Sequence, residues 1–280
     1  MQKAKTEPNY KAMTKYSFSL LPKGLLIGAL MLTGCCCHDD DNDTDPVPVD
    51  PCNGHAYVDL GLPSGLKWAT CNVGASKPEE YGDYFAWGDT VPYYESGHAQ
   101  DNLKTYGKDD KKKEYGYAWT TYKWCEGSYT TLNKYCNNSN YGYNDFQDSK
   151  TTLDAEDDAA GYKWGGSWRM PTKADWDELL DNKNCKWNWI DAGNTEFGGI
   201  AGYKVTSQKE GYKDRFIFLP AAGCRYGSYL YFVGSFGGYW SSSLDTDDSV
   251  DAWNVSFDSD GVDTKGNGRY GGFSVRPVLP

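Results

Sequence analysis

Apolar and polar positions alternate in short runs along most of this chain, and the runs are broken by glycine- and proline-rich turns. Residues 57–62, 67–73 and 83–87 read as short strands, separated by Pro63-Ser64-Gly65 and by a glycine-bounded turn at 74–82. Residues 215–220 form another apolar run. Trp253, Val255 and Phe257 fall on one side of a strand at 252–257, and Asp260-Gly261 then turns the chain into a strand at 262–265. A last strand is predicted over 273–278. Two segments break the period of two. Residues 152–160 read as a short helix with acids near its start, where the helix dipole favours them. Residues 172–180 are the clearer helix: Pro171 precedes it, Thr172 can cap it, and Trp176, Leu179 and Leu180 share one face. No internal repeat is visible. The pattern predicts one α+β domain over about residues 53–280, made of short twisted strands, two short helices and long loops.

The amino-terminal region has a different pattern. Lys3, Lys5, Lys11, Lys15 and Lys23 stand against a single Glu7, and the apolar stretch 25–31 follows. A basic flank and a short apolar stretch make a secretory signal, and the stretch is too short to span a bilayer. It ends in Leu32-Thr33-Gly34-Cys35, which resembles the lipobox of bacterial lipoproteins. On that reading residues 1–34 are removed and the thiol of Cys35 takes up the diacylglycerol. Residues 35–52 hold a run of aspartates followed by Pro46-Val47-Pro48, an extended and self-repelling tether. Acids just past the lipidated cysteine resemble the surface-export signal of Bacteroidota lipoproteins. The implied location is the outer membrane, lipid-anchored and facing outward, so the membrane is a partner through the acyl chains alone.

Charge narrows the partners. The chain carries 28 basic and 39 acidic residues, net -11. Removal of the signal takes away five Lys and one Glu and leaves 23 against 38, net -15. Such a surface repels phosphate backbones, which excludes nucleic acid as the main partner. Of nine cysteines, Cys36 and Cys37 adjoin Cys35, and six are dispersed. In an exported protein these are disulfide candidates, with Cys125–Cys136 the best local pair and Cys71–Cys185 a weaker one. Spacing does not decide connectivity, and buried free thiols are the other reading. No pair has C-x-x-C spacing, and neither a metal nor a cofactor is expected.

Residues 93–150 read as a long insertion with ten Tyr, two Trp and little aliphatic content. Tyr115, Tyr117 and Trp119 recur at period two, and Tyr122 and Trp124 resume it after a slip of one residue, so a turn or bulge must lie between. If this face is exposed, it offers a stacking platform for sugar rings or a protein; if it packs down, it is a satellite core.

Five blocks together resemble the Fibrobacter succinogenes major paralogous domain. They are Tyr57-Val58-Asp59-Leu60-Gly61-Leu62-Pro63-Ser64-Gly65-Leu66-Lys67-Trp68-Ala69-Thr70-Cys71-Asn72-Val73-Gly74, Gly165-Gly166-Ser167-Trp168-Arg169-Met170-Pro171-Thr172, Phe218-Leu219-Pro220-Ala221-Ala222-Gly223, Gly238-Tyr239-Trp240-Ser241-Ser242-Ser243 and Gly272-Phe273-Ser274-Val275-Arg276-Pro277-Val278. They fall in order across nearly the whole mature chain. Arg-x-Pro-Thr before an acidic, Trp-bearing helix, together with the Gly-Phe-x-Val-Arg end, is similar to the formylglycine-generating-enzyme type of C-type-lectin-like fold. The resemblance implies exported, often lipid-anchored proteins and supplies no catalytic mechanism.

Catalytic constellations are sparse. A formylglycine-generating oxidase needs a cysteine pair near the carboxyl end, and no cysteine follows Cys224. The three histidines, His38, His55 and His98, accompany no G-x-S-x-G elbow. Asp245–Asp248 and Asp258–Asp263 read as polar turns rather than calcium loops. Gly266-Asn267-Gly268-Arg269-Tyr270-Gly271 lacks the strand-turn-helix setting of a phosphate loop. Arg169 and Arg276 read as structural forks. The expected function is a non-catalytic surface binding protein that recognises glycan or protein through aromatic loops. The alternatives are a carbohydrate-active hydrolase with unplaced carboxylates and a structural component of a surface assembly.

Overall fold

The computed structural model describes residues 52–92 and 116–280. The signal, nearly all of the tether and residues 93–115 lie outside the described residues, and so do Cys35 and Tyr115. Among the described residues no helix is long and apolar enough to cross a membrane. The architecture is a β-rich α+β arrangement of small antiparallel sheets with two short α-helices.

The first sheet joins β1 (Tyr57–Asp59), β2 (Lys67–Ala69) and β11 (Val278–Leu279), so both ends of the domain meet on β2. Helix α1 spans Ala159–Trp164 and helix α2 spans Lys173–Leu180. The second sheet runs β3 (Cys185–Ile190), β4 (Gly202–Ser207) and β5 (Phe216–Pro220). Strands β6 (Cys224–Tyr226) and β7 (Tyr229–Tyr231) form a hairpin. The last sheet has β9 (Asp251–Asp258) between β8 (Gly237–Leu244) and β10 (Gly261–Gly268).

Helix α2 follows its sequence signals closely. The Thr172 side chain accepts from the Asp175 amide at 3.2 Å, and the Asp175 carboxylate accepts from the Thr172 amide at 2.7 Å, a complete capping box. Arg169 closes the entry through a 2.7 Å ion pair to Asp175. Trp176 and Leu179 are buried against Trp68, Val205, Ile217 and Val255, which draws three sheets onto one core.

A second core gathers Phe85, Trp87, Trp164, Trp168, Trp240 and Phe273. The carboxyl-terminal segment threads between the elements that bound it: Phe273 bridges Phe85, Ser274 bridges Tyr239, and Val278 bridges Arg169. Arg276 is fully buried on this segment. Its guanidinium donates to the Asn72 side chain at 2.9 Å and to the carbonyls of Ala69, Thr70 and Phe218 at 3.1, 3.1 and 2.9 Å. A planar cation spreads its donors over several carbonyls at once, which is the structural fork expected at this position.

Several elements differ from their sequence readings. Residues 83–87 contribute a single bridge at Phe85 instead of a strand, because their neighbours are tied to loops. The predicted helix over 152–160 becomes a 3-10 turn at Ala155–Asp157 followed by α1. The reason is Asp158, whose carboxylate accepts from the Ala160 and Gly161 amides at 2.9 and 3.0 Å and so caps a helix that starts after it. The predicted strand over 273–278 narrows to β11 and isolated bridges, since its carbonyls serve different sheets in turn.

Candidate functional site

The described part of the insertion, residues 116–150, is held by turns, short 3-10 helices and isolated bridges, and its rings build a third core with Tyr84, Ala86 and Ala222. The aromatic stripe therefore does not form one exposed face. Tyr117 and Tyr122 are buried, and their hydroxyls donate into the body of the protein, to the carbonyls of Tyr84 at 2.5 Å and Trp87 at 2.7 Å. Both are corrected from ligand candidates to core residues: a buried phenol needs an acceptor, and these acceptors lie beneath the insertion. Trp124 is half-buried. It donates to the Gly88 carbonyl at 3.3 Å and is covered by Lys123 and Lys134, at 4.2 and 4.7 Å from its ring. Trp119 is also half-buried and contacts the rings of Tyr129 and Tyr270 at 6.4 and 5.0 Å.

The proposed disulfides are also corrected. Cys71, Cys125, Cys136 and Cys185 are free thiols. Cys125 turns its sulfur to the Trp119 carbonyl at 3.0 Å and Cys136 turns its own to the Asn138 carbonyl at 3.1 Å, within one core. Cys71 and Cys185 lie in separate cores. Burial pushes the Cys185 thiol up to about 12 and raises those of Cys71 and Cys125, which suppresses the reactive thiolate.

Two polar devices fasten the insertion where a disulfide was expected. The first is Arg269, fully buried, which donates to the Tyr122 hydroxyl at 3.0 Å and to the carbonyls of Lys134, Tyr135 and Ser249 at 2.9, 2.8 and 2.9 Å. It also stacks over Trp87, 5.0 Å from that ring. The second is Asp157, buried and accepting from Lys123 at 3.0 Å, Lys134 at 2.6 Å and the Tyr135 hydroxyl at 2.7 Å. Burial opposes its charge, but the bonds from Lys134, Tyr135 and Lys123 outweigh burial and hold its carboxyl below the usual range.

Asp154, Glu156 and Asp157 bring three carboxylates within 4.8 Å of one another, a spacing that suits a cation. The Lys134 ammonium stands among them, 2.7, 3.6 and 2.6 Å from Asp154, Glu156 and Asp157. Three of the chain's own cations balance the cluster: Lys134 is shared, Lys123 pairs with Asp157 and Lys150 with Asp154. Elsewhere the acidic loops use their carboxylates on backbone amides. Asp245 accepts from Asp247, Asp258 from Asp260 and Asp263 from Thr264, at 3.1, 2.9 and 2.8 Å, as turn chemistry predicts.

Partly exposed rings collect on a surface that includes the candidate Trp119 but otherwise lies outside the predicted stripe. From Tyr129, ring contacts pass to Trp119 at 6.4 Å, to Tyr270 at 5.0 Å, to Tyr226 at 5.7 Å, to Tyr231 at 6.5 Å and to Phe232 at 6.0 Å. Tyr229 joins Tyr231 at 6.2 Å. Three of these rings are about half or more exposed: Tyr229 at 67%, Phe232 at 51% and Tyr129 at 49%. The ribbon is composite. One half comes from the insertion and the other from the β6–β7 hairpin, and they meet on Tyr270, next in sequence to Arg269. The insertion is registered against the hairpin by the Tyr117–Gly227 bridge.

The sequence reading did not predict the hairpin, although its turn carries a local signal. Tyr226 pairs with Tyr229 across the two-residue loop Gly227-Ser228, and Gly227 takes a left-handed φ of 56° that suits a two-residue hairpin. Phe232 follows at φ 59°, a left-handed conformation that bulky side chains avoid. Its carbonyl accepts from the Ser235 and Phe236 amides, both at 3.0 Å, which locks the turn and holds the ring outward.

No family model, no curated protein and no solved structure matches this chain.

Proposed function

We propose that the chain is a lipid-anchored, surface-displayed and non-catalytic binding protein that recognises glycan through its aromatic ribbon. The anchor is Cys35, the tether is the acidic segment behind it, and the location is the outer face of the outer membrane. The reading includes the Fibrobacter succinogenes major paralogous domain resemblance and a C-type-lectin-like arrangement. In support, the quoted blocks fall on the junctions of the fold: β2, the approach to α2, β5, β8 and the carboxyl-terminal segment.

The observation that carries the binding reading is the contiguous run of partly exposed rings. Tyrosine and tryptophan present large apolar faces at little conformational cost and add a polar edge, which suits the mixed apolar and hydroxyl surface of a sugar. The non-catalytic reading is supported by the commitments of two buried acids. Asp157 is neutralised by lysines. Asp158 holds three backbone amides, those of Ala160, Gly161 and Met170, at 2.8–3.0 Å.

A glycan array probed with the wild type and with the Tyr229→Ala/Phe232→Ala double variant tests this function. Wild-type binding to one carbohydrate group is expected, with about a tenfold or greater loss in the variant. Equal binding by the variant, or no carbohydrate bound by either protein, would overturn it.

A further inference from the structure

We infer that the ligand of the ribbon is a single, soluble, uncharged polysaccharide chain rather than a flat crystalline surface or a charged polymer. The inference rests on the proposed glycan function and narrows it. Its first ground is the orientation of the rings. Along the steps from Tyr129 through Trp119, Tyr270, Tyr226 and Tyr231 to Phe232, neighbouring planes differ by 58°, 48°, 60°, 50° and 39°. A flat lattice lying on one ring meets the next ring at a tilt of 39–60° and cannot lie flat on both. A flexible chain can rotate at each linkage and present a new sugar face to each new ring. The steps of 5.0–6.5 Å are comparable with the width of a single sugar ring, so successive sugars can follow successive side chains.

The second ground is charge. The ribbon is built from aromatic side chains, three of them partly or largely exposed, and removal of the signal would leave a chain of net -15. An anionic polymer would be repelled at the range of the Debye length, and a cationic polymer would be drawn to the acidic loops in preference to the rings. An uncharged chain rich in hydroxyls meets neither obstacle.

The third ground is preorganisation. The ring of Phe232 stands outward on a backbone held left-handed by the hydrogen bonds of its turn, and the hairpin register fixes Tyr229 beside Tyr231. A surface ordered before binding loses little entropy on contact, so affinity should grow with each sugar that reaches another ring.

The test uses the full-length chain in detergent micelles. Calorimetry is run against soluble xylan, glucomannan and mixed-linkage glucan and against their oligosaccharides of two to six units. Retention on microcrystalline cellulose and on polygalacturonate is measured in parallel. The expected result is binding to at least one neutral soluble chain, with affinity rising about tenfold or more from the disaccharide to the hexasaccharide. Tyr129→Ala and Phe232→Ala, at opposite ends of the ribbon, should each weaken the hexasaccharide more than the disaccharide. Equal or better retention on microcrystalline cellulose or polygalacturonate would overturn the inference, and so would affinity independent of chain length. If the array signal is lost in the double variant while the preferred ligand is crystalline or charged, the glycan function stands and this inference falls. If no carbohydrate binds, both fall.

Discussion

Phe232 combines three properties that rarely coincide in one side chain: it is large, half exposed and left-handed. A left-handed backbone costs an ordinary residue about 1–2 kcal/mol, and glycine escapes most of that cost. Two variants separate the strain from the ring. Phe232→Ala and Phe232→Gly both remove the aromatic face, so both should lose ligand. The glycine variant should nevertheless unfold in urea at higher stability than the alanine variant, by about 1 kcal/mol. Equal midpoints would mean that the turn is not held left-handed in solution. The residue scale also shows the limits of counting rings. Tyr117, Trp119, Tyr122 and Trp124 look alike in a sequence, yet two are core, one lies under lysines and one joins the ribbon. What separates them is where a hydroxyl or indole donor finds its acceptor, and those acceptors, at Tyr84, Trp87 and Gly88, are distant in sequence.

The insertion is the element on which the ribbon depends, and it is fastened by charge. Asp154 is held down to about 2 by hydrogen bonds from Lys134 and then Lys150, and Asp157 is also held below its ordinary range. A carboxyl with a depressed folded value binds fewer protons folded than unfolded. Its stabilisation is therefore present above the unfolded value of about 4 and is lost as pH falls through the folded value. The melting temperature should decline on acidification mainly between about pH 4 and pH 2. In Lys134→Met the carboxylates lose their shared cation and their values rise, so the decline should begin at higher pH. Thermal unfolding followed across this range checks both, and an identical acid profile for the variant would show that the cluster does not clamp the insertion. Elements with local signals were readable: α2 from its cap and face, β9 and β10 from alternation and turn. Strand β8 was not, because Gly237, Gly238 and three serines give it little strand character of its own. Its place is set by the rings of Phe257 and Phe273, which rest where Gly237 and Gly238 carry no side chain.

For the whole molecule, display and recognition make separate demands. The proposed anchor would require only a short signal before Cys35, and it can be tested without knowledge of the ligand. Cys35→Ser should abolish palmitate incorporation and move the protein from the membrane fraction to the soluble fraction. Continued sedimentation with membranes would sink the anchoring proposal. The ribbon requires long-range assembly: an insertion, a hairpin and Tyr270 must come together before the proposed surface exists.

Local rules carried much of the molecule. Strand period, helix caps and turn residues are properties of neighbouring residues, so the sequence alone determined the α+β class and the best helix. Tertiary structure decided the state of the cysteines, the use of Arg269 and Lys134 as fasteners and the choice of which rings meet water. Those outcomes turn on whether a buried polar group finds a partner and whether an apolar face finds cover. Partner and cover come from segments 20 to 147 residues away, beyond the reach of any local pattern.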